Sequence, residues 1–476
     1  MDLVSTFLLV AATWATSPAP ACQEPHAPRP NILLIVSDDA GWADFGFHGS
    51  DAGLTPQLDA LAAQGVVCTQ AYVSASVCCP SRAGLMTGRY QQRFGHEFNG
   101  PGRPEPGYTQ SQMGLSREER TLAELLKARG YRTAAVGKWH LGAEPGLTPR
   151  ERGFDHWYGF LAGSRSYRPT ENPNRMRQLQ HDDQVVPESE IDYLTDTLAD
   201  YTAQWVADQA QKEQPWFVYL AFNAPHTPMQ ARDDDLERFA SIENRRRRTY
   251  AAMLYAMDRA IGRIVTSLEA SGQRERTLII FVNDNGGATN NGSDNGPWRG
   301  RKGSKWEGGL RVPMLWSWPG GLPEGRRHDA VVSSLDIAPT VLAAAGAPLP
   351  TASESMPAGP FDGVDQTHAL QGESATEPRP LYWRRGVAAA LRDGPWKLVR
   401  VDTLPAQLIH LEQASDELTN FAAEHPERVR KMLAALVAWE SELAPPRWTE
   451  GPRWARNQLR KHSPEVDTRE EEEEVP

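Results

Sequence analysis

An alternation of short apolar runs with longer helix-like segments constrains the fold more than any other feature of the chain. Each run is short enough for a buried strand, and each intervening segment is long enough for a crossover helix. The pattern predicts an α/β fold with a large, mostly parallel sheet that helices cover on both faces. The clearest runs lie at 32–36, 133–136, 216–222 and 278–282, and the helix-like segments lie at 58–63, 122–129, 193–210 and 250–269.

The pattern changes after about residue 360, where three short apolar segments precede a helix-like stretch. These segments predict a smaller C-terminal antiparallel sheet with one packing helix. The chain then ends in a run of glutamates, so we expect its last part to be an acidic, disordered tail. The expected divisions are a signal peptide at 1–21, a linker at 22–30, a catalytic domain at 31–360, a C-terminal subdomain at 361–445 and the tail at 446–476.

The N-terminus has the pattern of an export signal. An apolar run at 7–15 precedes small residues at 19–21 and then Cys22, and the run is too short for a comfortable membrane span. We therefore expect an exported protein, located in a periplasm, outside the cell or in a lysosome-like compartment. Cys22 leaves two alternatives, which are lipidation that would tether the protein to a membrane and plain cleavage followed by the linker.

Charge and cysteine content limit the other partners. Fifty basic and 61 acidic residues give a formal net charge of -11, so we expect no broad basic face and no nucleic-acid partner. An anionic substrate would need a local positive site instead. The 4 cysteines are too few to staple a chain of 476 residues, and the adjacent pair Cys78 and Cys79 lacks the C-x-x-C spacing of zinc or thioredoxin-like sites.

Residues suited to chemistry follow each of the four apolar runs. Ligands of open α/β sheets bind beyond the carboxyl ends of the strands, so loops that follow different strands should converge on one crevice. The residues are Asp38 and Asp39 after the first run, Lys138 and His140 after the second, His226 after the third, and Asp284 and Asn285 after the fourth.

Two of these loops carry oxygen ligands. The adjacent carboxylates of Asp38 and Asp39 repel each other unless a cation neutralises them, although by themselves they could equally form a solvated turn or a helix cap. Asp284 and Asn285 at a second strand end favour the metal interpretation, because the four side chains together suit one hard cation. We expect Ca²⁺, with Mg²⁺ as the alternative.

The block at 78–89 is the most specific motif of the chain, and it reads Cys-Cys-Pro-Ser-Arg-Ala-Gly-Leu-Met-Thr-Gly-Arg. Pro80 suits the first turn of a helix, which places Cys78 at a positive helix N-terminus where an anion is favoured. From its spacing alone, Cys78 could be a nucleophile or a small buried residue.

This block resembles the signature of the formylglycine-dependent type I sulfatases, or arylsulfatases, of the alkaline phosphatase-like superfamily. That signature is C-x-P-S-R followed by a Leu and a Thr-Gly-Arg block. The chain departs from the family at Arg301, where glycine is common, and at 408–411, where relatives often have Tyr-Asp-Leu. Further matching blocks lie at 30–42, 137–142, 152–155, 224–226, 283–287 and 303–313, so the resemblance covers about 30–445.

The resemblance implies a mechanism. In that family a maturation enzyme oxidises the cysteine to formylglycine, whose hydrate attacks sulfur and later expels sulfate. For this chain the resemblance implies that residue 78 is the nucleophile and borders the cation. The implied metal ligands are Asp38, Asp39, Cys78, Asp284 and Asn285.

The same resemblance assigns roles to five more residues. It implies that Arg82 stabilises the hydroxylate and the developing anion. It places Lys138 and His140 near the hydrate, with His140 as the base for sulfate elimination, although a lone histidine is as often a core residue. It implies that His226 and Lys302 hold the sulfate and assist the leaving oxygen.

The sequence defines the substrate less closely. The stretch at 161–190 carries several arginines among prolines and asparagines, which suits an anionic substrate as well as it suits an irregular solvated loop. The expected partner is a sulfated small molecule or glycan, and we favour sulfated carbohydrates. The alternatives are a phosphoester or phosphonate ester hydrolase of the same superfamily and a catalytically dead, surface glycan-binding protein.

Overall fold

The computed structural model describes residues 29–100, 102–346, 359–375 and 377–463. The expected signal peptide, Cys22 and the glutamate run lie outside these residues. None of the helices in the described ranges is both long and apolar enough to cross a membrane. The division of the chain near residue 360 stays a prediction.

The described residues form 16 strands and 11 α-helices, joined in places by short 3-10 turns. The strands are β1 (Asn31–Ser37), β2 (Val66–Tyr72), β3 (Arg103–Pro104), β4 (Arg132–Lys138), β5 (His156–Phe160), β6 (Gln180–His181), β7 (Gln184–Val185), β8 (Trp216–Ala221), β9 (Thr277–Asn283), β10 (Met314–Ser317), β11 (Arg326–Ser333), β12 (Leu381–Arg385), β13 (Ala388–Asp393), β14 (Trp396–Val401), β15 (Gln407–His410) and β16 (Trp448–Thr449). The helices are α1 (Pro56–Ala63), α2 (Cys78–Thr87), α3 (Leu122–Lys127), α4 (Leu194–Ala207), α5 (Asp233–Arg238), α6 (Arg245–Ala270), α7 (Glu307–Leu310), α8 (Ile337–Ala344), α9 (Thr367–Gln371), α10 (Pro426–Glu440) and α11 (Pro452–His462).

A ten-stranded sheet lies at the centre, in the order β11-β2-β10-β9-β1-β8-β4-β5-β6-β7. The five neighbours β9, β1, β8, β4 and β5 are all parallel, whereas β10 runs antiparallel to both β9 and β2. The four predicted apolar runs are β1, β4, β8 and β9. The predicted large, mostly parallel sheet is therefore confirmed.

Helices cover both faces of this sheet, as predicted. Alternate residues of β1 point to opposite faces, so Leu33 and Ile35 pack in one core layer and Leu34 and Val36 in the other. The first layer contains the buried faces of α1, α4 and α6, and the second contains those of α2, α3 and α8. A sheet buried on both faces leaves the strand ends as the place for polar chemistry.

The C-terminal part contains the predicted small antiparallel sheet, in the order β12-β13-β14-β15. Helix α10 packs on it through Leu436 and Trp439. The fourth strand, β15, was not predicted from the sequence.

The first part of the expected disordered tail, at 446–463, contains a strand and a helix instead. Strand β16 pairs with β3, and helix α11 packs through Leu459, with Gln458 and His462 buried. Helix α11 is mostly polar, so its sequence resembles that of a solvated segment. In the structure, polar groups of α11 form hydrogen bonds with the loop at 302–306.

Candidate active site

The carboxyl ends of β1, β4, β8 and β9 lie side by side at one edge of the sheet. Ser37 at the end of β1 pairs with Asn283 of β9, and Val36 pairs with Ala221 of β8. Ala221 in turn pairs with Gly137 of β4. The side chains that follow these strands therefore converge, as the sequence predicted.

Cys78 is the first residue of helix α2, and Pro80 lies in the first turn. The Cys78 side chain is 1% exposed, and its Sγ lies 3.5 Å from Asp38 Oδ1 and 4.0 Å from Asp39 Oδ1. Burial, together with the charge of Asp284, raises the pKa of the Cys78 thiol above its usual range. An unmodified thiol would stay protonated at neutral pH and would be a poor nucleophile.

Two lysines contact Cys78 or the carboxylates beside it, one from the end of β4 and one from a loop. Lys302 Nζ lies 3.0 Å from Cys78 Sγ and donates to Asp39 Oδ2 at 2.8 Å. Lys138 Nζ donates to Asp38 Oδ2 at 2.5 Å. Burial opposes the charge of Lys302, but the carboxylates of Asp39 and Asp38 outweigh it and hold the pKa of Lys302 well above its usual range. Lys302 is therefore a stable cation beside residue 78.

Arg82 adds a third cation from the buried helix α2. Its Nε donates to Asp284 Oδ2 at 2.9 Å, and its Nη2 lies 3.6 Å from Asp38 Oδ2. Its Nη1 donates to the Tyr219 hydroxyl at 3.3 Å. The guanidinium thus bridges carboxylates that follow two different strands.

Four side chains form a cluster that could hold a metal ion. The ligand atoms of Asp38, Asp39, Cys78 and His226 all lie within 4.8 Å of one another. Three of these residues belong to the predicted ligand set, whereas the resemblance placed His226 on the sulfate. Its Nε2 lies 3.5 Å from Asp39 Oδ2.

The remaining predicted ligands lie against this cluster. Asp284 Oδ1 accepts the Asp39 N–H at 3.4 Å, and Asn285 Nδ2 donates to Asp39 Oδ1 at 2.8 Å. Asn285 Oδ1 is buried and has no hydrogen-bond partner among the described residues. Burial, together with Asp38, raises the pKa of Asp284 to about 6. A hard cation would satisfy the amide oxygen and relieve the crowded carboxylates, so the donor set fits the predicted ion.

His140 lies beside the cluster rather than inside it. Its backbone has a φ of 56°, and its Nε2 lies 3.1 Å from the Gly100 carbonyl oxygen. Its Nδ1 is buried without a partner in the described part of the chain. Burial and the neighbouring Lys138 hold the pKa of His140 well below its usual value. With Nε2–H donating to Gly100, a neutral His140 keeps a lone pair on Nδ1 and can accept a proton.

His226 is oriented by its neighbours. Its Nδ1 donates to the Thr227 carbonyl oxygen at 2.7 Å, which leaves the lone pair of the neutral ring on Nε2. Burial lowers the pKa of His226, although Asp38 and Asp39 oppose this shift. The free nitrogen thus lies on the side of Asp39.

Sequence reasoning missed several supporting residues. The Tyr167 hydroxyl lies 2.8 Å from the His226 carbonyl oxygen, and Asn291 Nδ2 donates to the Asp39 carbonyl at 2.9 Å. Tyr219 contacts Arg82 from inside β8. In the sequence, Tyr219 could have been noticed as a hydroxyl within an apolar run, and Asn291 as an amide in a glycine-rich loop. Neither belongs to a motif quoted above.

Lys305 lies in the same loop as Lys302, and the structure buries it. Its Nζ donates to Ser76 Oγ at 3.4 Å. Burial, together with the neighbouring Arg385, lowers the pKa of Lys305 to about 7.

Several known proteins are similar to this chain over most of its length. The family model described as Sulfatase matches residues 30–347. Human arylsulfatase A is 36% identical over 397 residues, which are 77% of this chain and 74% of that protein. The N-acetylgalactosamine-6-sulfatase of Canis lupus familiaris is 33% identical over 378 residues, 76% of this chain and 69% of that protein. The crystal structure of Ps i-CgsB in complex with k-i-k-neocarrahexaose has a TM-score of 0.82 and 36% identity, and the match covers 92% of this chain and 98% of that one.

Proposed function

The chain belongs to the sulfatase family, and on that premise we propose that this enzyme removes sulfate from sulfated carbohydrates, with galactose-type sugar sulfates as the first class. Two of the relatives at 33% identity or more carry sugar names, N-acetylgalactosamine and a carrageenan oligosaccharide, and both sugars are galactose-configured. The observation that supports sulfate chemistry most directly is the contact of Lys302 Nζ with Cys78 Sγ at 3.0 Å, within a buried cluster of carboxylates. A fixed cation beside the nucleophile is suited to a sulfate oxygen.

The proposal assigns the nucleophile to residue 78 after its conversion to formylglycine, which supplies covalent catalysis when present. Because Cys78 is 1% exposed, a maturation enzyme would have to act before the chain folds. Arg82 would stabilise negative charge on the nucleophile, and Lys302 would hold a sulfate oxygen. His226, once protonated at Nε2, would donate a hydrogen bond to the sulfate or to its leaving oxygen.

A second part of the proposal concerns the cation and the release of sulfate. Asp38, Asp39, Asp284, Asn285 and the side chain at 78 would hold a Ca²⁺ or Mg²⁺ ion, which supplies charge stabilisation for the sulfate oxygens. His140 would accept the proton that accompanies sulfate elimination, through its unpartnered Nδ1. We also propose that the protein is exported.

Activity on matched substrates tests the proposal. If the proposal is right, protein made together with a maturation enzyme should hydrolyse nitrophenyl sulfate far faster than nitrophenyl phosphate. It should also desulfate k-i-k-neocarrahexaose or N-acetylgalactosamine 6-sulfate, which mass spectrometry of the sugar detects. The Cys78→Ala protein is the blank.

Two results would contradict the proposal. Preferential hydrolysis of the phosphate ester would favour the phosphoester hydrolase. Glycan binding without turnover, by protein whose residue 78 is shown to be formylglycine, would favour the dead glycan-binding protein.

A further inference from the structure

A cleft lined mostly by polar residues opens beside the site described above. Its cavity volume is about 650 Å³, within the range of about 300–1,000 Å³ that is usual for small-ligand sites. One wall is the loop at 164–177, which connects β5 to β6, and the other is Thr227 with Pro228. The cleft thus adjoins the residue that follows His226.

The cleft and His226 belong to one hydrogen-bonded unit. His226 Nδ1 lies 2.7 Å from the Thr227 carbonyl oxygen, and the Tyr167 hydroxyl donates to the His226 carbonyl oxygen at 2.8 Å. Ser166 Oγ lies 2.9 Å from Gln230 Oε1, which also accepts the Tyr167 N–H at 2.9 Å. A ligand in the cleft would therefore touch the same loop that presents His226 to the sulfate.

The two arginines that line the cleft differ in whether a neighbouring carboxylate already pairs with their charge. Arg165 is 2% exposed, and its Nη2 donates to both carboxylate oxygens of Glu188 at 2.9 and 2.8 Å, so its charge is neutralised. Arg177 is exposed, and its guanidinium makes no hydrogen bond or ion pair with the residues that the structure describes. Its backbone is held, because the Arg177 N–H donates to Asn174 Oδ1 at 3.2 Å. Arg177 is thus a cation of the cleft without a partner among the described residues, and a hydrogen bond holds its backbone in place.

We propose that this cleft is a subsite for the sugar next to the one that carries the scissile sulfate, and that Arg177 binds an anionic group on that sugar. The inference rests on the proposed carbohydrate function and adds a determinant of specificity to it. A guanidinium binds sulfate or carboxylate through two parallel N–H bonds, and exposed polar side chains such as Asn172 and Asn174 suit sugar hydroxyls. The shared chemistry is an oxyanion, and either a second sulfate or a uronate carboxylate could supply it.

The test compares kcat/KM on four substrates. These are nitrophenyl sulfate, a monosulfated disaccharide with a neutral second sugar, the same disaccharide with a second sulfate, and the same disaccharide with a uronate as its second sugar. Solvent screens a pair formed at an exposed guanidinium, so Arg177→Ala should lower the ratio of kcat/KM on the matching anionic disaccharide to that on the neutral one by about fivefold, mainly through KM. Arg177→Lys should recover part of the loss, and the disaccharide that shows the effect identifies the anion.

Arg175→Ala is the matched control. Arg175 is an exposed arginine two residues away that does not line the cleft, and its Nη2 donates to the Ala143 carbonyl at 3.0 Å. Its loss should leave the substrate ratios unchanged. Equal ratios for Arg177→Ala and wild type on both anionic disaccharides would overturn the subsite. Wild-type protein that acts on nitrophenyl sulfate but on no sulfated saccharide would instead overturn the proposed carbohydrate function.

Discussion

Two regions of the molecule meet at the loop of Lys302, and they reach it by different routes. The strand-end region brings Asp38, Asp39, Asp284 and Asn285 to Cys78 through the ends of parallel strands. The C-terminal region reaches the same place through helix α11. There Lys461 Nζ donates to the Lys302 carbonyl at 3.0 Å, and His462 Nε2 accepts the Lys305 N–H at 2.8 Å.

The strand-end region carries side chains that the proposal assigns to the reaction, whereas the C-terminal region supports the loop that carries one more of them. The side chains of the strand-end region contact residue 78 or the carboxylates beside it, whereas α11 contacts the backbone that carries Lys302. Changes in the first region should therefore abolish turnover or remove the cation, and changes in the second should lower the rate in part. The predictions below test that contrast, from the largest expected effect to the smallest.

Substitution at residue 78 should have the largest effect. Cys78→Ala removes the group that becomes the nucleophile, so we expect activity to fall by at least about a thousandfold. The wild-type peptide that contains residue 78 should be about 18 Da lighter than its unmodified form, which mass spectrometry measures. The control is Cys79→Ser, which keeps a polar neighbour for His96 Nε2, 2.9 Å from Cys79 Sγ, and should retain most activity. Sulfatase turnover by Cys78→Ala would refute the assignment.

Removal of a metal ligand should abolish activity and metal content together. Asp284→Ala deletes a carboxylate, but it also removes the carboxylate nearest to the buried Arg82, so it should lower stability as well. Asn285→Ala deletes the unpartnered amide oxygen while Arg82 keeps Asp284, and we expect at least tenfold weaker metal affinity, roughly, with the fold intact. Elemental analysis measures the metal content of each variant, and metal titration measures its affinity for the metal. Undiminished metal content in both variants would place the cation elsewhere.

His140→Ala should slow one step of turnover rather than all of them. If His140 accepts the proton during sulfate elimination, the variant should release one equivalent of alcohol rapidly and then stall. Rapid-mixing measurements with nitrophenyl sulfate detect such a burst, and intact-protein mass spectrometry should find sulfate on residue 78. Steady sulfate release near the wild-type rate would remove His140 from this role.

Changes in α11 should have partial effects. His462→Ala leaves the buried Lys305 N–H without its acceptor, at a cost of about 1–3 kcal/mol, and loosens the loop that carries Lys302. We expect kcat to fall by about tenfold while residue 78 is still converted and metal still binds. His462→Gln, which offers another acceptor, should restore part of the rate. A complete loss in His462→Ala protein that is folded, metal-bound and converted would erase the contrast between the two regions.

The docking of α11 should also weaken in mild acid. Burial lowers the pKa of His462 from 6.5 to about 3 in the folded protein, so the docked ring is neutral. Because the folded value lies below the unfolded one, docking is fully favoured above about pH 6.5 and is lost progressively as the pH falls toward 3. Amide exchange in the peptide at 452–462 should therefore be faster at about pH 5.5 than at about pH 7.5, after correction for intrinsic rates. The pH difference should disappear in His462→Gln.

The sequence predicted the strands that position the site better than those that complete the sheet. Strands β1, β4, β8 and β9 are buried on both faces, so they appear as continuous apolar runs with polar residues after them. Strand β2 contains Thr69 and Gln70, and β10 has only four residues. Such strands are defined by their neighbours in the sheet, and a short or mixed pattern does not reveal them.

The sequence by itself singled out the side chains to which the proposal assigns the chemistry. Motifs of a few residues, such as Cys-x-Pro-Ser-Arg and Asp-Asp after a buried run, specify a helix N-terminus and strand ends, and these are local properties of the chain. Only the tertiary structure decided that Lys302, 224 positions after Cys78, contacts its sulfur, that His226 joins the carboxylate cluster, and that α11 packs under the Lys302 loop. Those contacts form because distant segments bury polar groups against one another, and the sequence of α11, a helix with few apolar residues, does not reveal which loop its polar groups will meet.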